Sequence, residues 1–326
     1  MPRIVSLLPS ATEIVFALGL GDSLVGVTHE CDYPAPALQK PHITRSKLPD
    51  GLESAEIDEI VRSQLDQIGS IYELDLEKLE ALRPDIVLTQ QLCTVCAVSF
   101  DYVAEEAAKL SSSPKVVNLE PKTLSEVLES IRTVALLSGT LERATKLIND
   151  LEERIFTVRK KVAGLKTPRV QVLEWIDPPF AAGHWIPELV EIAGGENNVA
   201  FMHAPSRQVS WERLAEKQPE IIVVAECGFS VERQRIDIRI LQEQYREALL
   251  NVKSRTGSDG ANHFAQASDG APSMPEIWIC DGSQYFSRPG PRLVDTVEML
   301  TGIFHRELRD ESLAKFRNGH DFEQAS

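Results

Sequence analysis

Short apolar runs alternate with amphipathic helical segments along the chain. Residues 4–8 form an apolar run that predicts a buried strand. Ser10 and Glu13 have the spacing of a helix capping box, and residues 14–18 supply an apolar helix face. Residues 24–27 predict the next strand. Strands and helices that alternate in this way are typical of α/β folds with mainly parallel strands.

One pattern occurs twice in the same order. Residues 76–89 predict a short helix, a turn at proline and a strand, and residues 211–224 predict the same three parts. Units of this kind are common, so two unrelated copies are one explanation. Their matching order favours the other explanation, two similar Rossmann-like lobes.

A long helical stretch separates the two copies. Thr123 and Glu126 have capping-box spacing, and apolar positions at helical spacing then continue to Val162 with one interruption at Gly139. We expect a rigid helix here. The predicted parts are an N-terminal α/β lobe (1–120), a connecting helix (121–166), a C-terminal α/β lobe (167–310) with a disordered, polar insertion (254–275), and a tail (311–326).

Composition excludes several classes of function. The 326 residues are 43% hydrophobic and 25% charged, and the net charge is −15. The acidic balance argues against nucleic acid or an anionic membrane as the partner, and no apolar run approaches the ~20 residues of a membrane span. Because no export signal precedes the first strand, we expect a cytoplasmic protein, or a periplasmic one if the start is incomplete. We also expect a monomer.

Aromatic residues make up only 6% of the chain, yet many fall in predicted loops after strands. Ligand sites of α/β proteins lie beyond the carboxyl ends of strands, so these side chains predict an inter-lobe cleft for a large, flat, partly apolar ligand. The alternative is that the rings only fill the lobe edges. The predicted ligand-binding residues are Tyr33, Trp175, Phe180, His184, Trp185, Tyr285 and Phe286.

The five cysteines are too few for a disulfide scaffold. Cys31, Cys93 and Cys96 follow predicted N-terminal strands, and His29 or His184 is a candidate fourth ligand. Thiol and imidazole groups suit zinc, or cobalt as an axial base, so one hypothesis is a thiol-ligated metalloprotein or redox enzyme. The alternative, which we favour, is buried free thiols.

The sequence contains none of the common catalytic signatures. There is no phosphate-binding GxxxxGK[ST] loop, no GxGxxG after a strand, and no Ser/His/Asp set with recognisable spacing. We therefore expect a binding protein and not an enzyme.

Several short motifs together carry a family resemblance. They are SLLPSATE (6–13), VGV (25–27), DYP (32–34), LRPD (82–85), DPPF (177–180), GGEN (194–197), QVS (208–210) and SRPGPR (287–292). In number and order they resemble the cobalamin and iron-siderophore binding proteins of ABC importers, above all the cobalamin-binding members, over most of residues 3–305. The resemblance implies two α/β lobes joined by one rigid helix and non-catalytic binding of cobalamin, or a related corrinoid or tetrapyrrole, between them.

The resemblance also implies roles for single residues. Tyr33, Trp175 and the pair Tyr285–Phe286 match positions where cobalamin binders place ring-contacting aromatics. Glu77 and Glu212 match surface glutamates that meet arginines of the importer permease; the alternative is two favourable acids in the first turn of a helix.

The iron-siderophore alternative is weaker on these residues. Anionic ligands require arginines, and only Arg207 and Arg288 lie near the candidate loops.

Overall fold

The computed structural model describes residues 1–49, 51–68, 72–90, 100–256 and 274–325. The chain divides into two compact units. The first contains Met1–Glu153 and Arg288–Pro291, and the second contains Arg154–Ser287 and Arg292–Ser326. Each unit has parallel strands and helices, so the predicted α/β class is confirmed. Within the described ranges, no helix is both long enough and apolar enough to cross a bilayer.

The first unit is built on a four-stranded parallel sheet. In chain order, the six strands of the described part of this unit are β1 (Ile4–Ser6), β2 (Leu24–Val27), β3 (Thr44–Ser46), β4 (Tyr72–Leu74), β5 (Ile86–Thr89) and β6 (Lys115–Asn118). Its helices are α1 (Pro9–Ala17), α2 (Ser54–Ile68), α3 (Leu76–Leu82), α4 (Phe100–Ala107) and α5 (Leu124–Ser138). The sheet order is β2-β1-β5-β6, and β3 and β4 form a separate antiparallel pair. Val5, Val87, Leu79 and Val103 are fully buried in the core of this unit.

Helix α6 (Leu141–Val162) contains the boundary between the units. The strands that follow are β7 (Arg169–Trp175), β8 (Phe180–Ala181), β9 (Gly183–His184), β10 (Glu196–Asn197), β11 (Phe201–Met202), β12 (Arg207–Gln208), β13 (Ile221–Val224), β14 (Glu276–Cys280) and β15 (Phe322–Gln324). The helices are α7 (Ile186–Ile192), α8 (Trp211–Glu216), α9 (Val231–Gln234), α10 (Ile238–Thr256), α11 (Leu293–Phe304) and α12 (Arg309–Leu313). The main sheet has the order β12-β8-β7-β13-β14-β15, and its central strands β7, β13 and β14 are parallel.

The two predicted capping boxes have different outcomes. Thr123 caps α5, because its hydroxyl accepts a hydrogen bond from Glu126 N at 3.1 Å. The prediction of a capping box at Ser10 and Glu13 is wrong. Helix α1 already begins at Pro9, whose fixed φ suits the first helical position, so both side chains lie inside the helix and are buried.

The connecting stretch consists of two helices. Gly139 adopts a left-handed conformation (φ +72°) and ends α5, and α6 follows with 22 residues. The interruption in the apolar pattern at this glycine marks the same point. The exact bounds of the connecting segment, 121–166, stay a prediction.

The predicted repeat is confirmed by matching local geometry. Arg83 and Gln218, each just before a proline, are both left-handed, with φ of 42° and 49°. Arg3 Nε donates to the last carbonyl of α3 at 2.8 Å, and Arg169 Nε donates to Gln218 O at 2.9 Å. The same helix-proline-strand arrangement therefore occurs in both units.

The segment predicted as a tail, 311–326, contains a strand of the second unit's main sheet. Residues 311–326 include β15, which pairs antiparallel with β14, and Phe322 is buried with its ring 6.2 Å from that of Trp278. The predicted insertion, 254–275, lies mostly outside the described residues; its first three residues end α10.

Candidate functional site

The candidate residues of the second unit lie where its parallel strands end. Strand β7 ends at Trp175, the chain after β13 contains Phe229, and the turn after β14 contains Tyr285. Because β7, β13 and β14 are parallel, these three positions share the carboxyl edge of one sheet. This edge is the usual ligand-binding side of an α/β sheet.

Trp175 is half-buried and held from two sides. Its ring centroid lies 5.1 Å from that of Phe229, with the planes inclined by 41°. Its indole nitrogen donates to Asp177 O at 3.1 Å. Phe180 is its cross-strand partner in the antiparallel pair of β7 and β8 and is also half-buried. The two side chains are therefore rigid aromatic surface at this edge.

His184 and Trp185 follow directly after this hairpin. His184 is half-buried, has a left-handed backbone (φ +52°), and donates from its backbone N–H to Ala204 O at 2.7 Å. Trp185 is only 5% exposed, and its indole donates to Phe286 O at 2.9 Å. Phe286 is buried as well. Trp185 and Phe286 therefore connect two loops through the interior of the second unit.

Tyr285 is half-buried between two side chains of its own unit. Its ring meets Phe316 edge-on at 5.6 Å, and the Arg292 guanidinium lies 5.4 Å from the ring centroid. Burial raises the pKa of the Tyr285 hydroxyl to about 12. The phenol is therefore neutral at physiological pH.

Glu174 is a half-buried acid beside this aromatic surface. The Ser206 hydroxyl donates to its Oε2, and the exposed thiol of Cys227 is close enough to interact with its charge. Burial raises the pKa of the Glu174 carboxyl to about 8 from an ordinary 4.5. The group is thus mainly protonated at neutral pH.

This carboxyl predicts a specific pH dependence of stability. The folded state holds the proton of Glu174 up to about pH 8, whereas the unfolded chain releases it near 4.5, so the free energy of unfolding should fall as pH rises between these values. Glu174→Gln should remove part of that fall. Urea unfolding at several pH values checks this, with Glu232→Gln, an exposed acid, as the control. Parallel pH profiles for wild type and Glu174→Gln would contradict it.

The candidate residue of the first unit is Tyr33, which follows β2 and is 44% exposed. The neighbouring segment is fixed by Arg288, whose Nη1 lies 2.5 Å from Asp32 Oδ1 and 3.4 Å from Glu13 Oε1. Arg288 also donates to Glu30 O at 3.3 Å and is only 6% exposed. Its positive charge is therefore committed to protein carboxylates, which counts against a role in binding an anionic siderophore.

The structure does not support Cys31 as a zinc ligand. Cys31 is buried, and its sulfur lies 3.1 Å from the Thr12 hydroxyl. Burial raises the pKa of this thiol to about 11, so it is a neutral thiol at physiological pH. Cys93 and Cys96 lie outside the described residues. Among the residues that are described, no group of three or more His, Cys, Asp or Glu side chains is arranged to hold a metal ion.

The two glutamates of the repeat occupy equivalent positions. Glu77 and Glu212 are each the second residue of a helix, α3 and α8. The caps of these helices are other side chains: Asp75 accepts from Lys78 N at 2.9 Å, and Ser210 accepts from Arg213 N at 3.1 Å. Neither glutamate is therefore needed as a cap.

Sequence reasoning missed two groups at this edge. Phe229 follows β13 just as the predicted aromatics follow their strands, so the same rule finds it. The buried acids Glu226 and Asp237 carry no comparable signal, because only the fold shows that both are fully buried.

Solved structures share this fold. A periplasmic vitamin B12-binding protein of Vibrio cholerae superposes with a TM-score of 0.61 at 24% identity, covering 92% of this chain and 95% of that one. A periplasmic heme-binding protein from Pseudomonas aeruginosa superposes with a TM-score of 0.62 at 19% identity, covering 94% of both chains. At these identities the likeness establishes the fold.

Sequence comparison gives the family. Residues 4–255 match the profile of the periplasmic binding proteins. A vitamin B12-binding protein of Vibrio cholerae is 30% identical over 301 residues, which are 91% of this chain and 87% of the relative. The expectation of a cytoplasmic location is wrong, because the matching family is that of the periplasmic binding proteins and the vitamin B12-binding protein that superposes is periplasmic. The chain belongs to the periplasmic binding protein family.

Proposed function

We propose that this protein binds cobalamin, or a closely related corrinoid, without changing it chemically. The observation that carries the proposal is the 30% identity with a vitamin B12-binding protein over nearly the whole chain. The aromatic surface at the carboxyl edge of the second unit supports it, because rigid rings bury much apolar area of a flat ligand at low entropic cost.

The candidate residues divide into two roles under this proposal. Tyr33 is exposed, and Trp175, Phe180 and Tyr285 are half-buried. These four are the proposed ligand contacts, with His184 as a polar contact. Trp185 and Phe286 are buried and joined by a hydrogen bond, so their proposed role is to hold the loops that present the other rings.

A direct experiment tests the proposed ligand. The purified protein is mixed with cyanocobalamin, separated by gel filtration, and examined by visible absorption. We expect the corrinoid bands to co-elute with the protein at one ligand per chain. Hemin in a parallel run distinguishes the ligand class: co-elution of hemin alone would replace the corrinoid by another tetrapyrrole, and co-elution of neither would refute the proposal.

The proposed partner is the permease of an ABC importer, which Glu77 and Glu212 would contact. Both are in the first turn of a helix, and the sheet edge with the aromatic residues is formed by other segments. Reversing both to lysine should leave cobalamin affinity unchanged and abolish importer-dependent uptake. Loss of the favourable helix-dipole interaction should cost only about 0.3–1 kcal/mol per site.

Cobalamin uptake by cells and cobalamin binding by the purified variant are measured side by side. The control reverses Glu142, in the first turn of α6, to lysine. Normal uptake by the double variant would contradict the docking role.

A further inference from the structure

The strand that ends the repeat carries different residues at its carboxyl end in the two units. In the first unit, β5 ends at Thr89 and is followed by Gln90. The corresponding residues of the second unit, after the same helix and proline, are Val224 and Ala225. All four residues are buried. The fold therefore accepts apolar side chains at both positions and does not require the polar ones of the first unit.

The polar side chains at the end of β5 have no partner within the described part of the chain. Gln90 is 7% exposed, and no group there donates to its Oε1; Thr89 is 0% exposed, and its Oγ1 is also without a hydrogen bond. A buried polar atom without a partner lowers stability, and such atoms are uncommon in folded proteins. Because Thr89 is completely enclosed, only Gln90 can meet a partner from outside the chain.

Gln90 follows a well-fixed strand at the ligand-binding edge of the sheet. Strands β1, β2, β5 and β6 are parallel, and α/β proteins bind ligands beyond the carboxyl ends of such strands. Leu88 O accepts from Leu7 N at 2.9 Å, and Thr89 O accepts from Leu119 N at 2.8 Å. These bonds hold the strand end from both sides, so the amide of Gln90 is placed by a rigid element.

The charges at this edge favour an uncharged hydrogen-bond donor on the ligand. Glu30 follows β2, and Glu120 follows β6. Of the nearby cations, Lys122 lies 4.0 Å from Glu120 Oε1, and Arg288 is paired with carboxylates as described above. These acids would repel a carboxylate on a ligand, whereas an amide brings N–H donors without charge.

We propose that Gln90 is a ligand contact that determines specificity: its Oε1 accepts a hydrogen bond from an amide N–H on the rim of the bound ring. This inference rests on the proposed function and narrows it to one chemical feature of the ligand. A corrin ring carries amide groups on its rim, whereas the rim of heme carries carboxylates. A site that holds a buried acceptor for an N–H group selects the first kind of ligand, because the second leaves that acceptor unpaired.

One experiment compares two variants at the end of β5. Gln90→Met keeps the length of the side chain and removes its amide, so it should weaken binding of dicyanocobinamide about tenfold, the usual effect of one hydrogen bond. Thr89→Val, the matched control, should change binding less than about twofold, because Thr89 is enclosed. Both variants should unfold at the same urea concentration as the wild type or a higher one, because each loses an unpaired buried polar atom. A residue with a structural role would instead lower the urea midpoint when replaced.

A second ligand tests the hydrogen bond itself. Dicyanocobyrinic acid heptamethyl ester has the same ring, but esters without N–H groups replace the amides. The wild type should bind dicyanocobinamide about tenfold more tightly than the ester, and Gln90→Met should keep less than about twofold of this preference. If Gln90→Met does not fold, Gln90→Ala replaces it, since alanine occupies the equivalent position of the second unit.

The outcomes separate this inference from the proposed function. The same preference for the amide ligand in the wild type and in the Gln90 variant would overturn the role of Gln90 and leave corrinoid binding standing. A lower urea midpoint together with an unchanged preference would identify Gln90 as a structural residue. Absence of binding of either corrinoid by the wild type would refute the proposed function, and this inference with it.

Discussion

Replacing Arg288 with methionine should lower the free energy of unfolding by about 3–5 kcal/mol, the usual cost of removing one partner of a buried ion pair. Arg288 is 6% exposed and lies 3.4 Å from the carboxyl of Glu13, which is buried inside α1. The variant would leave this carboxylate in the interior without its counter-charge. Asp32, the other partner, is largely exposed and should contribute little to the loss.

Urea unfolding at neutral pH measures this effect. The control is Arg207→Met, an exposed arginine whose replacement should change the free energy of unfolding by less than about 0.5 kcal/mol. Adding Glu13→Gln to Arg288→Met should restore part of the stability, because the uncompensated charge is then removed. Equal stability of the Arg288→Met and Arg207→Met variants would contradict the account.

Replacing Trp175 with alanine should weaken cobalamin binding by about 1–3 kcal/mol, or about 5–150-fold. The side chain is pre-organised, because Phe229 packs on its ring and Asp177 O accepts its indole N–H. A ring that is already fixed loses little entropy when a ligand packs on it. Trp175→Phe should lose less affinity than Trp175→Ala, since it keeps part of the apolar area.

Calorimetric titration with cyanocobalamin checks this prediction. Phe156→Ala is the matched control, because Phe156 is an aromatic residue of the same unit that is 68% exposed on α6. It should bind with wild-type affinity. If Trp175→Ala and Phe156→Ala bind equally well, Trp175 is not a ligand contact.

The sequence predicted the features that depend on local pattern. The alternation of apolar strands with amphipathic helices gave the α/β class, and the duplicated helix-proline-strand pattern gave two similar units. The cap at Thr123 was also predictable, since capping depends on residues three apart. At Ser10 the same rule failed because Pro9, one residue earlier, already starts the helix.

The features that depend on distant contacts were not predictable. Arg288 and Glu13 are 275 positions apart, and no local signal shows that they pair in the first unit. Likewise, the pattern placed Trp185 and Phe286 among the exposed loop aromatics, whereas the fold buries both and joins them by a hydrogen bond. Burial of a loop residue depends on the elements that pack against it, and these come from elsewhere in the chain.

The central claim, that this periplasmic binding protein takes a corrinoid as its ligand, is tested most directly by equilibrium dialysis of the wild-type protein against cyanocobalamin. We expect saturable binding of one cobalamin per chain, with an excess of hemin failing to displace it. No saturable uptake at high micromolar cobalamin, or displacement of bound cobalamin by an equal amount of hemin, would contradict it.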